Sequence, residues 1–262
     1  MQDLTVTLIQ SELYWEDPEK NRDMFSDKID NIKEKTDLIV LPEMFTTGFT
    51  MNAAKYAEKE EGRTLLWMRD KAAAKNADVI GSIIAEEHNK YFNRLYWVKS
   101  DGNYEKYDKR HLFRMAGEHK IYSSGTKKII QEVKGWKILP LICYDLRFPV
   151  WSRAPRKEYD LLIYVANWPE RRSSHWRLLL KARAVENQSY AVGVNRVGKD
   201  GLDIYYKGES AVIDPLGNII MQDADNEFVH TEKLSWDSLQ EYRSKFPAWM
   251  DSDTFKVDKN DG

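Results

Sequence analysis

Apolar residues along the chain come in short runs, some alternating and some continuous, separated by stretches with helical spacing. Leu4, Val6 and Leu8 alternate with Thr5 and Thr7, which predicts a strand entering a core over residues 4–10. Pro18 then opens a helix in which Phe25, Ile29 and Ile32 share one face, with Lys and Asp on the other. Residues 37–41 are nearly all apolar, as in a strand covered on both faces, and the run stops at Pro42-Glu43-Met44-Phe45. Leu65, Met68 and Ala72 mark a second helix over 63–75, and residues 79–84 form a third strand. Residues 91–98 and 104–107 predict a hairpin around Ser100-Asp101-Gly102-Asn103, whose Asp-Gly is a turn signal. That hairpin delivers Asp108-Lys109-Arg110-His111-Leu112-Phe113.

The second half repeats the alternation of strands and helices. Residues 129–133 and 136–142 pair about Lys134-Gly135, and the second run ends at Cys143. A short helix near Val150, an apolar strand over 161–165 and a long helix over 174–187 follow. Strands over 190–194, 208–213, 218–221 and 228–234 close the pattern, with Pro215-Leu216-Gly217-Asn218 as a turn between two of them. The class is α/β. No repeat, low-complexity tract or linker interrupts it, so residues 1–245 are expected to form one domain. The polar stretch 246–262, with Pro247 and Trp249, is expected to be a C-terminal tail packed on the domain or on a partner subunit.

Composition narrows the function. The chain has 262 residues, 42% hydrophobic and 31% charged, long enough to bury a sizeable core. Its net charge of −2 supplies no field for nucleic acid or an anionic membrane, so neither is expected as a partner. Cys143 is the only cysteine, which excludes an internal disulfide. The start of the chain shows no secretory pattern, and no apolar run is long enough to span a bilayer. The five histidines lack partners at zinc-ligand spacing, so no metal is expected. A cytoplasmic protein is the expectation.

Three side chains stand just after apolar strands: Glu43, Lys109 and Cys143. Strand ends in an open α/β sheet are where ligands collect. A cysteine there is either a small core residue or a nucleophile. Alone, a glutamate after a strand reads as a cap, and a Lys-Arg pair as a solvated face. Together the three supply the parts for acyl transfer. A thiolate attacks, a carboxylate moves its proton to the leaving amine, and an ammonium stabilises the oxyanion beside a backbone N–H. Spacing cannot show that they converge.

Leu41-Pro42-Glu43, Tyr107-Asp108-Lys109-Arg110-His111-Leu112 and Ile142-Cys143-Tyr144-Asp145-Leu146-Arg147-Phe148-Pro149 resemble the three catalytic segments of the nitrilase, or carbon–nitrogen hydrolase, superfamily. Arg183-Ala184-Val185-Glu186-Asn187-Gln188, Gly208-Glu209-Ser210 and Asp214-Pro215-Leu216-Gly217 resemble further segments, so the likeness covers nearly the whole chain. The resemblance implies a four-layer α-β-β-α sandwich and a homodimer formed through the helices flanking the nucleophile strand. It implies Cys143 as nucleophile, Glu43 as base, and Lys109 with the Tyr144 backbone N–H as oxyanion donors, with no cofactor. Glu118, in Gly117-Glu118-His119, would orient Lys109; the alternative is a loop carboxylate in water.

The segments 41–49, 107–115 and 164–169 resemble the ω-amidase branch of that superfamily, which implies hydrolysis of the terminal amide of 2-oxoglutaramate or 2-oxosuccinamate. Such a substrate carries a carboxylate, and Arg114 and Arg147 are the candidates to bind it. Arg114 has simple exposure as its alternative, and Arg147 an ion pair with Asp145 or a dimer contact. Asn167 would hydrogen-bond the substrate, and Trp168 would wall the pocket or only pack. Rival readings are another amide, carbamoyl or nitrile hydrolase of the superfamily, a non-catalytic binding member of the fold, and a redox sensor built on Cys143.

Overall fold

Period-two side-chain direction sorts each central strand between two cores. β1 (Leu4–Gln10) sends Leu4, Val6 and Leu8 into one apolar cluster and Ile9 into another. After α1 (Pro18–Asp30), β2 (Leu38–Val40) does the same, with Leu38 and Val40 on one side and Ile39 on the other. The chain continues through α2 (Ala53–Tyr56), α3 (Arg63–Lys75), β3 (Asp78–Glu87), β4 (Lys90–Val98) and β5 (Tyr104–Asp108). Then come α4 (Glu118–Ile121), β6 (Gln131–Val133), β7 (Trp136–Ile142), α5 (Pro149–Ser152), β8 (Leu161–Ala166) and α6 (Ser173–Asn187). β9 (Tyr190–Asn195), β10 (Val197–Lys199), β11 (Tyr205–Ile213), β12 (Ile219–Ala224), β13 (Phe228–Leu234) and α7 (Trp236–Lys245) complete it. These elements come from a computed structural model that describes residues 2–257.

Two sheets result. A six-stranded sheet has the order β13-β1-β2-β3-β4-β5, and a seven-stranded sheet the order β10-β11-β9-β8-β7-β6, with β12 beside β11. The trios β1-β2-β3 and β7-β8-β9 are parallel, and the pairs that flank them are antiparallel. α1 and α3 cover one sheet, burying Phe25, Ile29, Leu65 and Met68 against Ile39 and Val79. α6 covers the other with Trp176, Leu180 and Ala184. Gly193 on β9 permits that contact, because a Cβ there would stand 2.6 Å from the Trp176 ring. Between the sheets, Leu4, Val6, Leu8, Leu38 and Val40 share one apolar cluster with residues of β7, β8 and β9. The expected four layers, helix, sheet, sheet and helix, are present.

Hydrophobic spacing does not predict α7, and the structure shows why. Only Leu239 and Arg243 of this helix are buried. Arg243 docks through hydrogen bonds instead, to Asp160 at 2.5 Å and to the carbonyls of Tyr159 and Gln188 at 2.8 Å each. Beyond α7, Gln188 donates to the Phe246 carbonyl at 2.6 Å and accepts from the Trp249 N–H at 3.1 Å. Residues 258–262 of the expected tail lie outside the described residues. Among the described residues no helix is long and apolar enough to cross a membrane.

Candidate active site

The segments that leave β2, β5, β7 and β8 meet in one place. After β2, Glu43 is followed by Met44 at φ +42°. This left-handed turn is held by Ser82 of β3, whose Oγ accepts the Met44 N–H at 2.8 Å and whose carbonyl accepts the Phe45 N–H at 3.1 Å. After β5, the Lys109 N–H donates to the Asn93 carbonyl at 3.0 Å and its carbonyl accepts from Gly125 at 2.9 Å. Only glycine fits at position 125, since a Cβ would lie 2.0 Å from the Asp108 carbonyl oxygen. After β7, Cys143 also sits at φ +42° and opens a 3-10 turn, Cys143–Arg147. A non-glycine residue in this region stores strain of about 1–3 kcal/mol, which the surroundings must hold.

Asp145 holds it. Its Oδ2 accepts from the Ile142 N–H at 3.1 Å and the Tyr107 hydroxyl at 2.7 Å, and its Oδ1 accepts from the His111 N–H at 3.0 Å. The nucleophile turn and the lysine turn are thereby fastened to one carboxylate. His111 adds a stacked contact with Phe148, ring centroids 3.8 Å apart.

The charged groups are buried together. Glu43 and Glu118 are fully buried, Lys109 is 1% exposed and Cys143 8%. Lys109 Nζ stands 2.8 Å from Glu43 Oε1 and 3.0 Å from both oxygens of Glu118. Asn93 Nδ2 donates to Glu43 at 2.8 Å and to Glu118 at 3.2 Å. The other Glu43 oxygen accepts the Asn167 N–H at 2.8 Å, and Glu118 accepts the Phe113 N–H at 2.5 Å. Burial opposes the charge on Lys109, but the carboxylates of Glu118 and Glu43 more than offset it and raise its pKa. Burial and then the charge of Glu43 push the Cys143 thiol well above its ordinary 9.0, with Lys109 only partly countering them. The cysteine therefore rests as a thiol beside a carboxylate able to take its proton. Burial raises the Glu118 carboxyl, and Lys109 works against that rise.

Glu43, Lys109, Cys143 and Asn167 form the floor of a cavity of about 500 Å³. Trp15, Phe49, Phe113, Met115, Leu202 and Tyr206 give it apolar walls, and Arg147, Arg171 and Arg172 line it too. Arg147 lies 4.8 Å over the Trp168 ring and Arg172 5.0 Å over that of Phe113. Neither has a carboxylate partner among the described residues; Arg147 instead meets His175 at 3.0 Å. Burial and the neighbouring Arg171 lower the pKa of Arg172.

The structure thus brings Glu43, Lys109, Glu118 and Cys143 together, with Tyr144, Asn167, Trp168 and Arg147 around the same cavity. The exposed-loop alternative for Glu118 is excluded by its burial. Asp145 is occupied by Tyr107 and His111, not by Arg147. The side-chain nitrogen of Asn167 is committed to the Glu43 carbonyl at 2.5 Å, so this residue orients Glu43 while its Oδ1 is left unpartnered. Trp168 both packs, 5.5 Å from the Trp176 ring, and lines the cavity. Arg114 is a correction. It is exposed on the turn Arg114–Ala116 and is not among the lining residues. Arg172, Ser82 and Asn93 carry no sequence signal of their own, because an Arg-Arg pair reads as surface and a polar residue within a strand reads as its outward face; Asp145 lies within the nucleophile segment, but nothing there shows that it also clasps the lysine turn.

Residues 5–244 match the carbon-nitrogen hydrolase family. The chain is 48% identical to the omega-amidase YafV of Escherichia coli, over 98% of this chain and 100% of that one. It is 30% identical to the 2-oxoglutaramate amidase of Bacillus subtilis, over 94% and 96%. Among solved structures it resembles a CN-hydrolase superfamily protein from Xanthomonas campestris with an arsenic adduct in the active site, with a TM-score of 0.97 and 42% identity over 98% of this chain and 100% of that one. The match spans both sheets and all four layers, and the chain belongs to the carbon–nitrogen hydrolase family, as a hydrolase of carbon–nitrogen bonds other than peptide bonds.

Proposed function

We propose that this protein is an ω-amidase that hydrolyses the terminal amide of 2-oxoglutaramate or 2-oxosuccinamate to the 2-oxo dicarboxylate and ammonia. Cys143 attacks the amide carbon while Glu43 takes its proton. The oxyanion is held by the Lys109 ammonium and the Tyr144 backbone N–H. Glu43 returns the proton to the nitrogen, ammonia leaves, and a thioester stays on Cys143. Glu43 then activates water, which releases the acid and the thiol. Glu118 keeps Lys109 charged and in place.

The observation that carries this reading is the juxtaposition of a buried Glu43–Lys109–Cys143 floor with guanidinium groups in the same cavity that have no carboxylate partner among the described residues. A carboxylate at the far end of the substrate suits Arg147 and Arg172, which offer planar donor forks with no acid paired to them among the described residues. The 48% identity to an omega-amidase over both chains supports the same substrate class. The apolar walls favour a second reading, a hydrolase of apolar amides or nitriles.

Ammonia release from 2-oxoglutaramate, beside uncharged amides and nitriles of similar length, decides between them. Preference for the oxo-acid amide is expected; preference for the uncharged compounds would replace the substrate assignment. A homodimer through the outer face of α6, where Leu178 and Val185 are exposed, belongs to the same reading, and light scattering in solution tests it. A free cysteine used as nucleophile suits the reducing cytoplasm, where we place the protein.

A further inference from the structure

Two buried carboxylates, Glu43 and Glu118, share the Lys109 ammonium, which leaves an excess of negative charge away from water. A second cation there would neutralise that excess and draw charge from the base. A neutral donor satisfies both carboxylates without competing for a proton. Asn93 is that donor, provided its nitrogen and not its oxygen faces Glu43 and Glu118.

The hydrogen bonds fix which way it faces. The Met44 N–H can only donate, and it donates to Ser82 Oγ at 2.8 Å. The single hydroxyl proton of Ser82 is then free for Asn93 Oδ1, 2.9 Å away. On its other side the Glu43 carboxylate can only accept, so Nδ2 faces Glu43 and Glu118 while Oδ1 faces the Ser82 hydroxyl. Both residues are fully buried. Their backbones hold the same machinery, since the Ser82 carbonyl accepts from Phe45 and the Asn93 carbonyl from Lys109.

We propose that Ser82 and Asn93 are positioning residues that form an orientation lock, in which Ser82 fixes the Asn93 amide so that its nitrogen holds both carboxylates around Lys109. The inference rests on the reading of Glu43 as the base for Cys143. Asn93 faces the titratable groups Glu43 and Glu118 and bonds the Lys109 backbone, and the charges of these three bear on Tyr122, as those of Glu43 and Lys109 do on Cys143.

Asn93→Asp keeps the shape but replaces the donor with a third carboxyl group. Its expected effect is an acid limb of the kcat/KM profile shifted upward by about one pH unit, with kcat reduced about 100-fold, because hydrogen bonds to the ionised carboxylates are lost and a further proton must be bound. Ser82→Ala removes only the donor to Asn93 Oδ1 and the acceptor for Met44, and is expected to lower kcat about tenfold with KM within about twofold. Thermal unfolding establishes that each variant is folded, and Ser82→Ala decides if Asn93→Asp is not. Alkylation of Cys143, the only cysteine, by iodoacetamide reads the same base without any substrate. It is expected to slow about tenfold at neutral pH in Asn93→Asp. If the wild type ignores 2-oxoglutaramate but the variants still slow alkylation, the substrate assignment fails and the lock stands. Folded variants with an unmoved acid limb, unchanged alkylation and losses confined to KM would overturn the lock.

Discussion

Glu43 and Lys109 at the floor of the cavity are buried, with Lys109 hydrogen-bonded to Glu43 and to the buried Glu118, whereas Arg147 and Arg172 in the same cavity are only half-buried and have no carboxylate partner among the described residues. The floor is held by strand exits, by Ser82 and Asn93, and by the Asp145 clasp, so its geometry is set before any substrate arrives. The arginines rest on the Trp168 and Phe113 rings with donors available. A site built this way separates two tasks. Its floor performs one reaction, and its arginines select which amide reaches it.

The largest effects should come from breaking the floor. Cys143→Ala is expected to reduce kcat by about 10⁴-fold or more, and Glu43→Gln by about 10²–10⁴-fold, in an ammonia-release assay with KM little changed. Retention of more than a tenth of the activity in Cys143→Ala would remove the nucleophile assignment. Next comes the resting state of that thiol. With its pKa raised by burial and by Glu43, the thiolate is a minor species across the neutral range. Alkylation of the wild-type protein at about pH 7 should therefore depend on Glu43 taking the proton, and is expected to slow about tenfold in Glu43→Gln. An unchanged rate in that variant would mean an ion-paired thiolate instead.

Changes to the arginines should be smaller and of a different kind. Arg147→Gln is expected to raise KM for 2-oxoglutaramate about tenfold while kcat falls less than about threefold, since an interaction made before and during the reaction is lost. A loss confined to kcat would move Arg147 from recognition to chemistry. Arg114→Ala should change either constant by less than about twofold, as expected of an exposed charge.

The same division explains what the sequence revealed. Glu43 and Cys143 stand at the ends of apolar runs, which is visible in one dimension, whereas Lys109 follows the polar Glu105-Lys106-Tyr107-Asp108 and stands out through its likeness to the family's lysine segment. Glu118 and Trp168 were reachable only through family likeness. Asn93 was hidden because β4 is buried along much of its length, so a polar side chain there need not face water. Arg114 looked suitable because it follows the lysine segment closely, yet a short turn aims it outward, while Arg172 arrives from a loop sixty-three positions after Lys109. α7 escaped because its apolar contacts are few, Leu239 and the partly buried Trp236, and the hydrogen-bonded guanidinium of Arg243 anchors the rest.

The most direct test of the floor and the arginines as separate devices is the ratio of kcat/KM for 2-oxoglutaramate to that for an uncharged amide of equal length, compared between the wild type and Arg172→Gln. The ratio is expected to fall about 10–100-fold through KM for the charged substrate, with kcat on the uncharged amide within about threefold of the wild type. An unchanged ratio, with both substrates losing activity equally, would contradict the account.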